Sequence, residues 1–370
     1  MQRPRNWHGV HFDFILVAII QLFNMGQPMF EEKALLIARM AAVRARLLRE
    51  MIGVEELPLT TGWIYGDWTA ANLLAHLGEY DNCYAYMVRD ALSGRIAETG
   101  VDYTDIRDHL LRERVGTWSL EQSVDYFMKA RTHFVDALRE VPADELRKKH
   151  KFKWKFGDKT GRSQGSISTW AQWRYTHDAG HMEDLRQWYK RLPDHESIGS
   201  QVVLLAALEA ARDDFYASAE LIPPKERETR PVCGTWTLKD VLGHLADCDA
   251  MYLNAFYAMI GEPAVDLGWE AEGDEDVVNE KLVKLRAGQS FEQVWEDCQT
   301  TRSNLLTELR LISDEMLGDP YGGDGSPYPT PFHCMWSALE HYLDHAAVIR
   351  RQLKVRFPKN LLTFKGPYTD

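Results

Sequence analysis

The chain repeats itself, and the repeat narrows the folds open to it more than any other feature. Gly66-Asp67-Trp68-Thr69 returns 168 residues later as Gly234-Thr235-Trp236-Thr237. Leu74, His76, Leu77, Asp81 and Tyr84 return in register as Leu242, His244, Leu245, Asp249 and Tyr252. Further on, Ser119-Leu120-Glu121-Gln122 matches Ser290-Phe291-Glu292-Gln293, and His177 and His181 match His341 and His345 at a spacing of 164. Order and spacing kept over such a length mean two copies of one domain. A chain of 370 residues suits that division. The expected units are an N-terminal extension (1–30), a first domain (31–192), a second domain (197–356) and a C-terminal tail (357–370). The polar stretch Pro193-Asp194-His195-Glu196-Ser197 marks the boundary between the copies.

Each copy reads as four helices. In the first they are expected near Glu31–Ile52, Thr69–Leu92, Ser119–Val141 and Ser168–Lys190. In the second they fall near Ile198–Leu221, Thr237–Ile260, Ser290–Ile312 and Pro331–Leu353. Apolar residues recur at three- and four-residue steps (Leu35, Ala38, Ala42; Leu204, Leu208, Ala211), as in a helix that buries one stripe. Thr69 and Thr237 are expected N-caps, and Pro142 and Pro223 follow helix ends. Strand signals are nearly absent, so the class is all-α. The long connections after the second and third helices permit parallel neighbours, and an up-down-up-down order is not forced. Lys153–Gly165 and Gly318–Pro331 read as loops placed to fold over the ends of the last helices.

A net charge of −12 and a pI near 5.6 oppose a nucleic-acid partner, which calls for a basic face. Five cysteines without a CxxC pair fit a reducing compartment, so a cytoplasmic location is expected. The apolar run Phe14–Phe23 is shorter than the roughly 20 residues that span a bilayer. Asn24-Met25-Gly26-Gln27-Pro28 after it offers no small-x-small cleavage site. An upstream start or a docking helix is the expectation there, with no membrane partner. No Ser/His/Asp motif, phosphate loop or GxGxxG fingerprint is present.

The chemistry rests on histidine. His177 and His181, like His341 and His345, sit four residues apart and so share one helix face, about 6 Å apart along the axis. With His76 and His244 from the second helices, each bundle can gather three imidazoles, as bundles do when they build metal sites. Three histidines with an open position describe a catalytic site for a divalent ion; zinc, nickel and iron suit such ligands equally. The competing reading is a packed, hydrogen-bonded core histidine at each place.

The neighbours carry open alternatives. Cys248, four residues after His244, and Tyr80 after His76 are a soft ligand and a proton donor, or core. Asp81 and Asp249 either orient a ring or serve as caps or surface ion pairs. Gly180 either admits a close approach to His181 or is tolerated in the helix. Trp68, Trp236, Trp170, Trp173 and Trp336 line the core or a pocket mouth. The runs Arg147-Lys148-Lys149-His150-Lys151 and Arg350-Arg351 read as solvated faces.

A tryptophan-capped second helix with a histidine, followed late by HxxxH, resembles the DinB/YfiT-like four-helix-bundle superfamily. Gly66-Asp67-Trp68-Thr69, Leu74-Ala75-His76-Leu77 and His181-Met182-Glu183-Asp184-Leu185-Arg186-Gln187-Trp188 make the first copy similar to the ClbS/DfsB branch. With Trp236-Thr237-Leu238-Lys239-Asp240, His244-Leu245, His341 and His345, the other copy resembles a more general DinB domain. The resemblance implies up-down-down-up bundles, usually paired, with a divalent metal held by three histidines. Here those would be His76, His177, His181 and His244, His341, His345. Ala70-Ala71-Asn72 and Gly180 depart from the family pattern in the first copy, and ClbS-like chemistry need not use a metal. Activities in the family include metal-dependent hydrolysis, thiol-dependent transfer and detoxification. The expectation is therefore two tandem bundles packed as an intramolecular pseudo-dimer, a monomer in solution. It would act as a hydrolase or transferase on a small electrophilic substrate. The alternative is a non-catalytic binder of small molecules.

Overall fold

The computed structural model describes residues 32–64, 68–98, 117–156, 159–192, 198–264, 266–267, 274–321 and 328–357. The N-terminal extension, the boundary stretch at 193–197 and most of the C-terminal tail lie outside them. The first bundle is built from α1 (Glu32–Arg49), a short α2 (Glu56–Thr61), α3 (Ala70–Leu92), α4 (Leu120–Arg139) and α5 (Ile167–Tyr189). The second is built from α6 (Gln201–Ala219), α7 (Leu238–Ile260), α8 (Glu275–Leu285), α9 (Phe291–Leu309), a short α10 (Asp314–Gly318) and α11 (Pro331–Gln352).

Capping fixes where the main helices begin. Thr69, Ser119, Thr237 and Ser290 each form a capping box with the residue three places on, satisfying two otherwise unpaired backbone donors. Contacts between helices give the directions. Asp81 meets Arg131 and Arg89 meets His133, so α3 and α4 run parallel. Glu32 meets Ser168 and Glu50 meets Arg186, so α1 and α5 run parallel. Lys33 at the start of α1 donates to the carbonyls of Arg139, the last residue of α4, and of Val141 just past it, so those two helices oppose each other. The order is up-down-down-up. The second bundle repeats it: Gln201 reaches the carbonyl of Leu309, while Tyr216 lies by Cys298, so α6 opposes α9.

The two bundles meet through their first helices, α1 against α6. Leu35 through Ala45 of α1 are buried without interruption, as expected of a helix covered on all sides. Arg44 pairs with Asp213 across this contact, and Arg49 Nε lies 2.5 Å from Glu340 Oε1. Arg350 is buried as well, bonded to Asp214 and Ser218. The reading of Arg350 as a solvated residue is therefore corrected: the carboxylate on α6 draws it inward.

The second departure is a small sheet. β2 (Lys149–Phe156) pairs antiparallel with β3 (Lys159–Ser166), and β1 (Ala97–Glu98) joins β2 in parallel. The stretch from Lys153 to Gly165, expected to be a loop, is most of this hairpin. Phe152 turns inward onto Trp170, with ring centroids 5.9 Å apart, while Lys151 and Lys153 face water. Trp154 lies over its cross-strand partner Gly161, where a Cβ would come within 2.4 Å of the indole.

Candidate metal centres

Each bundle brings its three histidines to one place. One ligand nitrogen from each of His76, His177 and His181 lies within 4.8 Å of the others, and the same holds for His244, His341 and His345. The first residue of each trio rides on a capped helix (α3 or α7), seven residues past its threonine cap. The other two lie one turn apart on α5 or α11. Ring centroids in the first trio are 4.7, 5.2 and 5.5 Å apart; in the second they are 4.8, 4.8 and 5.2 Å.

The second trio points three Nε2 atoms at one another: His244 to His341 is 2.9 Å and His345 to His341 is 3.0 Å. Two nitrogens that each sit about 2.0–2.1 Å from one ion are roughly 2.8–3.4 Å apart for right-angled to tetrahedral bonding. The spacing suits a single cation. Burial holds all three rings neutral, the form that has a lone pair to give. Burial brings His244 down to about 4; burial and the His244 ring bring His345 to about 3; His341 is pushed well below its ordinary value by burial and both partners. Trp236 flanks His244 at 5.1 Å and donates its indole N–H to Glu280 of α8 at 2.9 Å. Cys248 Sγ lies 3.7 Å from His244 Nδ1, and burial raises its thiol far above the ordinary range.

The first trio is wired differently. His177 and His181 present Nε2 to Nε2 at 3.2 Å, but Arg174 Nη1 lies 2.8 Å from His177 Nδ1, and His181 Nδ1 lies 2.9 Å from Asp184 Oδ2. Burial, with His181, Arg174 and His76, pushes His177 well below its ordinary value. Tyr80 packs against both His76 (4.9 Å) and His177 (4.7 Å).

Beneath each trio lies a buried ion network. Asp81 bonds Arg131 Nε and Arg174 Nε, each at 2.7 Å, and Asp178 closes the square by bonding both arginines. Burial would raise Asp178, but Arg131 and Arg174 hold its carboxyl below the usual range. In the second bundle one arginine remains: Arg302 Nη1 reaches Asp249 at 3.1 Å and Tyr342 donates to Asp249 at 2.7 Å. Burial lifts Asp249 to about 6 even so. Asp81 and Asp249 are thus neither ring-orienting groups nor surface pairs; they anchor arginines at the bundle axis. Arg174 and Asp184 escaped the sequence reading, although each sits three residues from a trio histidine and so on its face. At Gly180 a Cβ would meet nothing within 4 Å, so no other part of the chain uses the missing side chain.

A family model described as the DinB superfamily matches the chain twice, over residues 59–185 and 207–349. Together these segments exceed half its length, and the chain belongs to that superfamily. No curated protein and no solved structure matches it. Among the described residues no helix is long and apolar enough to cross a membrane.

Proposed function

We propose that the chain is a divalent-metal-dependent hydrolase or thiol-linked transferase acting on a small electrophilic molecule, in a protective role. The observation that carries this reading is the double contact at His341 Nε2. One imidazole nitrogen holds either one proton or one lone pair. His341 can therefore turn only one of its contacts, at 2.9 and 3.0 Å, into a hydrogen bond, while a shared cation satisfies the whole trio. Bound there, such an ion supplies Lewis acidity that activates a water or a thiol for attack.

The remaining parts belong to the chain itself. His244 comes from α7 and the other two from α11, so docking of one helix on the other fixes their spacing. Trp236, Tyr252 and Cys248 surround the rings, with Tyr252 6.3 Å from His341, and limit water around them. Membership in a family often associated with metals and the resemblance of the first copy to the ClbS/DfsB branch support the protective role. Free thiols at Cys83, Cys248, Cys298 and Cys334, all buried, support a cytoplasmic setting.

Metal analysis of protein purified without a histidine tag tests the proposal. Zinc, nickel or iron bound to the wild type and lost from His341→Ala is the expected result. Metal-free protein whose stability is indifferent to that substitution overturns it and leaves a non-catalytic binder.

A further inference from the structure

We infer that the two trios have parted ways. Only His244, His341 and His345 take a divalent cation, and the first trio is closed to one by a hydrogen-bonded chain from Arg174 through His177 and His181 to Asp184. The assignment of the cation rests on the reading above; the closure of the first trio rests on its own geometry.

A guanidinium has N–H donors and no acceptor, so the Arg174 contact requires His177 Nδ1 to accept. The neutral His177 ring then carries its proton on Nε2, the atom that faces His181. A carboxylate accepts, so His181 Nδ1 donates to Asp184 and leaves its Nε2 lone pair facing His177. Every link of the chain is a donor facing an acceptor: Arg174 to His177, His177 to His181, His181 to Asp184. A cation in this trio would have to strip the His177 Nε2 proton or turn Arg174 away. Arg174 is fixed by Asp81 and Asp178 at 2.7 Å each and by the Leu77 carbonyl at 3.3 Å. A metal-binding histidine ordinarily donates its second nitrogen to an acceptor, as His181 does to Asp184; at His177 Arg174 reverses that polarity.

The second copy lacks each of these parts. At the matching positions Arg174 is replaced by Ala338, Asp178 by Tyr342 and Asp184 by Val348. The Nδ1 atoms of His341 and His345 are buried with no protein partner, so nothing dictates which nitrogen of either ring holds the proton. Two of the three replacements move together: loss of the second arginine removes the need for the second buried aspartate, and Tyr342 takes its place on Asp249.

Titration of metal-free, full-length protein with zinc tests the assignment. About one tight equivalent is expected, abolished by His341→Gln and untouched by His177→Gln, with any binding at the first trio weaker by on the order of 100-fold. Two tight equivalents overturn this inference and leave the proposed function standing; one that follows His177 overturns this inference and also the part the reading above gives to His341. No tight binding of zinc, nickel or iron defeats both. Nitrogen-15 NMR of the imidazoles reads the first trio without metal: His177 protonated at Nε2 and His181 at Nδ1 are expected, and His177 protonated at Nδ1 overturns the closure. Arg174→Ala combined with Asp178→Tyr copies the second bundle. It is expected to admit a second equivalent, and a folded double variant that still binds only one refutes the part given to Arg174.

Discussion

At the scale of single residues, what the sequence shows depends on whether a residue acts along its own helix or across the bundle. The histidine trios were legible because HxxxH fixes a shared face and the repeat supplies the third ring. The partners of Asp81 were not: Arg131 and Arg174 come from two other helices, and only packing reveals that charges fully buried at 0 % and 1 % exposure neutralise one another. Gly180 is the converse case, a local oddity whose open side no other part of the chain fills. It is exposed on α5, its backbone is helical, and an added methyl group meets nothing within 4 Å. Gly180→Ala is therefore expected to stabilise the protein by about 0.5–1 kcal/mol, mainly by lowering the entropy of the unfolded chain. A higher urea midpoint with unchanged metal content checks this; a lower midpoint would mean that Gly180 is needed for more than helix geometry.

Among the elements, eight long helices of the described residues follow from apolar periodicity, several of them with threonine or serine caps, and their boundaries fall within a few residues of expectation. The hairpin was missed because its strands carry lysine where core strands carry valine or isoleucine, so its composition reads as a solvated run. The alternation was present: in Lys151-Phe152-Lys153-Trp154 the aromatics take one face and the lysines the other. Its role is to seal the start of α5, where Phe152 meets Trp170 and a Cβ at Gly165 would come within 2.5 Å of the same indole. Phe152→Ala should cost about 3 kcal/mol, the usual range for emptying a buried aromatic site. Denaturant unfolding measures it, and a loss below about 0.5 kcal/mol, the size of an ordinary surface change, would show that the hairpin is an ornament on the bundle. α8 was also hidden, inside a connection read as loop, yet it supplies Glu280 to the indole beside His244.

For the whole molecule, the decisive feature is that the two bundles share one chain. α1 and α6 pack on each other, and Arg44 of one pairs with Asp213 of the other across the contact between them. Arg44 is buried at 3 % exposure, and burial lowers its pKa while Asp213 opposes that shift. Asp213 is more than a third exposed, so the pair is worth less than a fully dry one. Arg44→Asp should cost about 2–3 kcal/mol by leaving two carboxylates opposed. The exchange Arg44→Asp with Asp213→Arg should return part of that loss, because it restores opposite charges across the seam. Urea unfolding of both singles and the double gives the coupling, expected to exceed about 1 kcal/mol. Additive losses would mean that the contact depends on the apolar seam alone. Because α1 and α6 cover each other, neither lies open to a second copy of the chain. Sedimentation should therefore find a monomer in the wild type, and a charge-reversed single variant that opens this seam should begin to self-associate.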